Sequence, residues 1–304
     1  MKLSSLGPAE LRERLRGGAL LLQTGMFNIR IQSRFENVAQ ALALLYADFE
    51  LLEAGDFCDF HIDVRPSGGL RKWIRPQVTV HFDGVTPFAP LPADQCYPML
   101  EWGLNWCVYS QANSHLIIHA AVVEKNGFAA ILPAPPGSGK STLCAALVNR
   151  GWRLLSDELT MIRISDGQIA PLPRPVSLKN ASIDIVQAYA PEAVFSRKIH
   201  DTIKGTIAHM KPSADSVARV AETARPAWIV FPKYEAGAST QLDPMSKAAG
   251  FMQVADNAFN YSRLGLQGFH AAGRLIDASL CYDFKYSVMD EAIAAFDALV
   301  PQAA

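Results

Sequence analysis

The chain has 304 residues, half of them hydrophobic, and its 28 Lys and Arg against 29 Asp and Glu leave a formal net charge of −1. That length suits two domains of ordinary size, and that composition a packed globular protein. Charge balance speaks against a nucleic-acid binder held by phosphate contacts, and no apolar run approaches the length of a membrane span.

Residues 1–110 are expected to form a small α/β domain. Leu3, Leu6, Leu11 and Leu15 fall near one helical face, Pro8 suits a first turn, and Gly17-Gly18 stops the helix. Leu20–Ile31 reads as extended, Asn37–Phe49 as a helix, Phe57–Val64 and Gln77–Phe82 as strands, and Met99–Ala112 as a long helix after a proline-rich stretch. The Met1–Arg16 stretch lacks a signal-peptide core. The five scattered cysteines (Cys58, Cys96, Cys107, Cys144, Cys281) offer neither zinc spacing nor a disulfide framework, so a cytoplasmic setting is expected. This first part shows no catalytic constellation and is a place for substrate recognition. His61 and His81 read as structural. Arg65, Arg71, Lys72 and Arg75 cluster around the Pro66–Gly69 turn, as a solvated loop or as a site for an anionic partner.

From His115 the character changes, and residues 111–304 are expected to form the second domain. Leu116–Val123 is a strongly apolar strand, Asn126-Gly127 a hairpin turn, and Phe128–Leu132 a buried strand. That strand runs into Ala134-Pro135-Pro136-Gly137-Ser138-Gly139-Lys140-Ser141-Thr142, followed by a helical run. Strand, glycine-rich loop, Lys, Ser and helix is the arrangement that cradles a nucleoside triphosphate. The glycines let backbone N–H groups approach phosphate oxygens, Lys140 can reach the β- and γ-phosphates, and the Ser141 hydroxyl can ligate Mg²⁺. ATP and Mg²⁺ are therefore the expected cofactors. Counting back through the hairpin places His119 level with the loop, as a core residue or a functional one. A short apolar strand then ends in Ser156-Asp157-Glu158, where one carboxylate can hold the metal directly or through water. In a continuous strand the two carboxylates point to opposite faces and cannot share a role unless the backbone turns there.

Together, His119-Ala120, the Gly-Ser-Gly-Lys-Ser loop and the acidic pair resemble the catalytic domain of HPr kinase/phosphorylase. The resemblance is closer still to the HPr-kinase-related proteins called HprK-related kinase A. It implies a C-terminal HPr kinase/PEP carboxykinase-like phosphate-loop domain with a mixed sheet, preceded by the small α/β domain. It also implies Asp157 as general base, Glu158 in a metal or support role, His119 beside the γ-phosphate, and a homo-oligomer. Glu158 in place of a second Asp, Thr142 after Ser141, and Pro173–Asn180 in place of a glycine-rich signature set the chain apart from HPr kinase itself.

Phosphoryl transfer also wants cations on the equatorial oxygens. Arg174, Lys179, Lys204 and Lys211 are candidates; Arg174, between two prolines, and Lys204, in a Lys-Gly-Thr loop, are favoured. Trp228–Phe231 reads as a strand stopped by Pro232, Lys247–Ala258 and Leu264–Ala278 as helices, Tyr282–Tyr286 as a strand and Met289–Leu299 as a final helix. The expected activity is ATP-dependent transfer to a hydroxyl, a serine of a small protein or peptide. A small-metabolite kinase and a nucleotide-gated binding module are the alternatives. No nucleic-acid or membrane partner is expected.

Overall fold

The computed structural model describes residues 1–53, 55–68, 74–135 and 137–301. Gly69, Arg71 and Lys72 of the turn and basic cluster, and Pro136 of the glycine-rich loop, lie outside them. The chain is of the mixed α/β class, with parallel and antiparallel pairing in the same sheets.

The first part is built on local turn chemistry. Helix α1 (Pro8–Gly17) opens on Pro8 and closes at Gly18, whose φ of 66° is left-handed. The extended stretch is a hairpin: β1 (Leu20–Thr24) turns at Gly25, φ 62°, into antiparallel β2 (Phe27–Ser33). Helix α2 (Glu36–Leu45) ends before Phe49. Next come β3 (Phe60–Pro66), parallel to β2, then β4 (Gln77–Phe82) and the short β5 (Leu91–Pro92), giving the order β1-β2-β3-β4-β5. Period-2 alternation turns Phe27, Ile29, Ile31, Phe60, Ile62 and Val64 inward, under α1, α2 and helix α3 (Cys96–Gln111). Helix α3 lies close on the sheet because residue 103 is Gly: a Cβ there would meet Ile62 Cδ1 at 2.7 Å and Val80 Cγ1 at 3.0 Å. That contact turns the far side of α3, with Glu101 and Asn105, toward the rest of the chain.

In the second part, β6 (His115–Lys125) turns back at Asn126 and Gly127, φ 56° and 84°, into β7 (Phe128–Pro133). Positive φ at both turn residues matches the right-handed twist of the strands. Helix α4 (Lys140–Val148) follows. Strands β8 (Arg153–Ser156) and β9 (Leu159–Arg163) pair successive lengths of β6, and β10 (Ile169–Ala170) pairs β9. Beyond them, β11 (Val176–Lys179), helix α5 (Ala181–Tyr189), β12 (Ile199–Thr202) and β13 (Gly205–Met210) form a small sheet of order β11-β13-β12 with its helix. After α6 (Ala214–Ala218), β14 (Arg225–Tyr234) runs parallel to β7. β15 (Gln241–Met245), α7 (Lys247–Asp256), α8 (Tyr261–Leu264), α9 (Leu266–Asp277), β16 (Leu280–Tyr286) and α10 (Met289–Leu299) complete the chain, with β16 parallel to β14.

Pro232 does not stop β14. Two residues on, the Tyr234 N–H donates to the Ser138 carbonyl at 2.9 Å, on the side where β7 has run out. Pro232 faces that same side, so no ladder hydrogen bond is lost. The large sheet is covered on both faces. Ala121, Val123, Ala130 and Leu132 meet α4 and α10; Ala120, Val122, Ala129 and Ile131 meet α7 and α9. Ile117, Leu159, Met161 and Leu172 join the apolar core of the first part, and Lys211 pairs with Asp48 across the junction at 2.7 Å. No helix among the described residues is long and apolar enough to cross a membrane.

His115 gives the fold a pH dependence. It is 1 % exposed at the start of β6, paired opposite Arg163, with Nε2 lacking a hydrogen-bond partner. Burial, then Arg163, pushes its pKa down to about 4 from 6.5. The unfolded chain therefore binds more protons between those values, and stability is full above pH 6.5 and falls as pH drops toward 4. The loss is on the order of 3 kcal/mol for this residue. Urea unfolding at pH 7 and pH 4.5 is expected to show a smaller difference for His115→Gln than for the wild type; an equal difference would exclude His115 as the source.

Candidate functional site

The glycine-rich loop sits at the carboxyl ends of the parallel strands β7, β14 and β16, the edge where α/β sheets bind ligands. Gly137 and Gly139 both have φ of 89°, which L side chains rarely adopt. A Cβ on Gly139 would lie 2.6 Å from the Tyr286 hydroxyl, which donates to the Gly139 carbonyl at 3.2 Å. With the Tyr234 bond to Ser138, two tyrosines brace the loop from behind. No side chain caps α4, so its first N–H groups remain available to an anion.

Register places the other parts. Ala120 pairs with Pro133, so His119 stands level with Ala134 at the loop entrance, and it pairs with Leu159 on its other side. Its backbone N–H donates to the Asn257 carbonyl at 2.7 Å, and its ring lies 5.5 Å from that of Phe259. Asp157 and Glu158 occupy a bend between β8 and β9, not a continuous strand, which brings both carboxylates toward Lys140. Asp157 is 4 % exposed; its Oδ2 accepts from the Ser177 N–H at 3.0 Å while its Oδ1 has no hydrogen-bond partner.

Electrostatics separates the two acids. Burial raises the Asp157 pKa above the ordinary carboxylate range, Lys140 opposes this, and Glu158 adds to it. For Glu158, burial pushes up, but Lys204, Lys140, Lys179 and His119 together hold it below the ordinary range. Burial, then Lys140, drives His119 down to about 4, so it is neutral near pH 7. Lys204 is lowered by burial, against the pull of Glu158. Three ammonium groups and one neutral imidazole therefore face Glu158, and one of those ammonium groups, Lys140, also faces Asp157, at the mouth of an anion cradle.

No protein-family profile matches the chain. No curated protein matches it either. Among solved structures, the Hpr(Ser) kinase/phosphatase from Coxiella burnetii aligns with 60% of this chain and 92% of its own, at 11% identity and a TM-score of 0.26. A likeness of that size places no residue and assigns no activity.

The structure brings together His119, Lys140, Asp157, Glu158 and Lys204, with Ser141 adjoining Asp157. Ala134 is buried where β7 ends, Pro135 is exposed, and Thr142 is partly buried in the first turn of α4. Lys204 lies in the tight turn between β12 and β13, its Nζ 5.0 Å over the Trp102 ring. Arg174 directs its guanidinium to Glu101 at 3.3 Å and to Asn105, which leaves its charge paired. Lys211 pairs with Asp48, away from this cluster. Among the described residues no three His, Cys, Asp or Glu side chains group as a self-sufficient metal site. Mg²⁺ does not ask for one: it takes one or two carboxylates and completes its shell with water and phosphate. Ser141 and the partly buried Glu158 fit such an ion, and the unpartnered Asp157 Oδ1 beside them is left for a proton.

Sequence reasoning missed Glu101, Trp102 and Asn105 of α3. One signal was there: Glu101 is the single charged residue in a 16-residue apolar helix. Its carboxylate accepts from the Tyr46 and Tyr97 hydroxyls, each at 2.7 Å, as well as from Arg174.

Proposed function

We propose that the chain is an ATP-dependent kinase of the HPr kinase-like kind that transfers the γ-phosphate to a hydroxyl, a serine of a small protein or peptide. The observation that carries the reading is the meeting of Lys140, Lys179 and Lys204 around Glu158, with Lys140 also beside Asp157, at the glycine-rich loop. Cations grouped in this way call for a polyanion, and such a carboxylate pair calls for a metal or a proton.

Residues 134–142 and Lys140 hold the β- and γ-phosphates. Ser141 and Glu158 would hold Mg²⁺, which when bound offsets charge on the phosphate oxygens. Lys204 and Lys179 stabilise the equatorial oxygens of the moving phosphoryl group. Asp157 accepts the acceptor's hydroxyl proton as the new O–P bond forms and the bond to ADP breaks. Its raised pKa strengthens it as a base. His119, neutral, can donate a hydrogen bond to the γ-phosphate without competing for the metal charge. Arg174, paired with Glu101, acts by holding neighbours in place. A cytoplasmic homo-oligomer, with the first domain recognising the acceptor, belongs to the same proposal.

The test is transfer itself. Protein incubated with Mg²⁺ and γ-labelled ATP is expected to form ADP and to label a serine-bearing acceptor. Tight Mg·ATP binding with no labelled product and no ADP would replace the kinase by a nucleotide-gated binding module.

A further inference from the structure

Glu158 has three lysines around it, yet among the described residues no cationic nitrogen lies within 4.0 Å of its oxygens. Its Oε2 instead accepts from the Asn105 amide at 2.5 Å. Lys204 likewise makes no ion pair among the described residues; its ammonium rests on the face of Trp102. Both neutral partners come from α3, in the first part of the chain, at positions three apart and so on neighbouring sides of one helix. Opposite charges this close collapse onto one another unless each is otherwise held, and a collapsed pair has little field left for a ligand. Here each charge is satisfied by a group that does not neutralise it: an amide donor for the carboxylate, a ring face for the ammonium.

The amide itself is oriented. Asn105 Oδ1 accepts from Arg174, which fixes Nδ2 toward Glu158. Arg174 is in turn held by Glu101, and Glu101 by the hydroxyls of Tyr46 and Tyr97 deep in the first core. Tyr46, Tyr97, Glu101 and Arg174 are all buried. Arg174 Nε finds no partner, but Nη1 and Nη2 are both engaged, and a buried network held at both ends in this way passes its geometry on.

We infer that α3 is a working part of the transfer site. Asn105 and Trp102 are positioning residues that keep Glu158 and Lys204 apart and available, and the Glu101–Arg174 pair is the strut that fixes them. The inference rests on the kinase reading above. It makes the site composite, so that the first part of the chain is needed for the chemical step and not for acceptor recognition alone.

The test compares full-length wild type with Asn105→Ala, Trp102→Leu and Trp102→Phe. ADP formation from Mg·ATP with water as acceptor reports turnover; a fluorescent ATP analogue reports affinity. Asn105→Ala and Trp102→Leu are expected to lower turnover at least ~30-fold with affinity within ~3-fold of wild type, because only the reacting arrangement is lost. Trp102→Phe, which keeps a ring face, is expected to recover to within ~5-fold of wild type. A purely structural role predicts equal losses in Trp102→Leu and Trp102→Phe, or parallel losses of affinity and turnover, and either would overturn the inference. So would folded Asn105→Ala with wild-type turnover. Wild-type protein that binds Mg·ATP but forms no ADP and moves no label to any acceptor in lysate of its native host would instead overturn the kinase reading, and this role with it.

Discussion

Asp157→Asn is expected to cut phosphoryl transfer by about 10²–10⁴-fold while leaving Mg·ATP affinity within about threefold. Asparagine keeps the shape and can still accept the Ser177 N–H through its own oxygen, so the loop and the bend are preserved. What it cannot do is take a proton. Folding stability is expected to hold or rise, since the carboxylate is buried and burial already works against its ionised form. The pH profile gives an independent check. A base must be ionised, so wild-type activity falls as pH drops through the Asp157 pKa, which lies above the ordinary carboxylate range. The residual activity of the variant should lack that limb. Steady-state kinetics from pH 4 to 8 decide it: wild-type rates in Asp157→Asn would remove the base assignment.

Lys140→Met is expected to weaken Mg·ATP binding and to lower transfer by about 10²–10³-fold. Lys140 is 9 % exposed at the first position of α4, so its ammonium acts in a desolvated setting where a charge counts for more than in water. It opposes the rise in the Asp157 pKa and helps hold Glu158 ionised. Removing it therefore costs twice: the triphosphate loses a partner, and the carboxylates lose the cation that lets both ionise side by side. Methionine keeps the apolar stem, so lost packing does not confuse the result. Calorimetric titration of Mg·ATP into the variant measures the effect, and unchanged affinity would show that Lys140 does not face the phosphates.

These two residues were legible in the sequence because the signals are local. Asn126-Gly127 defines a tight hairpin, and the hairpin fixes the level of His119 by counting. Gly137 and Gly139 mark a backbone that only glycine adopts easily, just before a helix. The bend at Asp157-Glu158 is one of two readings the residues allow, a turn or a continuing strand, and the structure has the turn. Ser156 and Asp157 are turn-forming residues, but it is tertiary partners such as the Ser177 N–H that fix the turn. Lys204 could be singled out but not its setting, since the Lys-Gly-Thr loop is a tight hairpin turn against Trp102. Pro232 misled because its missing N–H matters only where a neighbouring strand faces it. Asn105 and Trp102 lie about fifty residues upstream of the acidic pair in a helix that reads as core. Their approach depends on Gly103 pressing the opposite side of α3 against Ile62 and Val80. Long-range packing of that kind leaves little mark on local periodicity.

The central claim is that the γ-phosphate leaves ATP for a serine hydroxyl at this site. The direct measurement is incubation of the wild-type protein with γ-labelled ATP, Mg²⁺ and lysate of its native host, with Asp157→Asn in parallel. The labelled species is then identified by mass spectrometry. Phosphoserine on a small protein or peptide, formed by the wild type and lost in Asp157→Asn, is the predicted result. Mg·ATP bound tightly with no label moved to any acceptor, or label moved equally by both proteins, would contradict it.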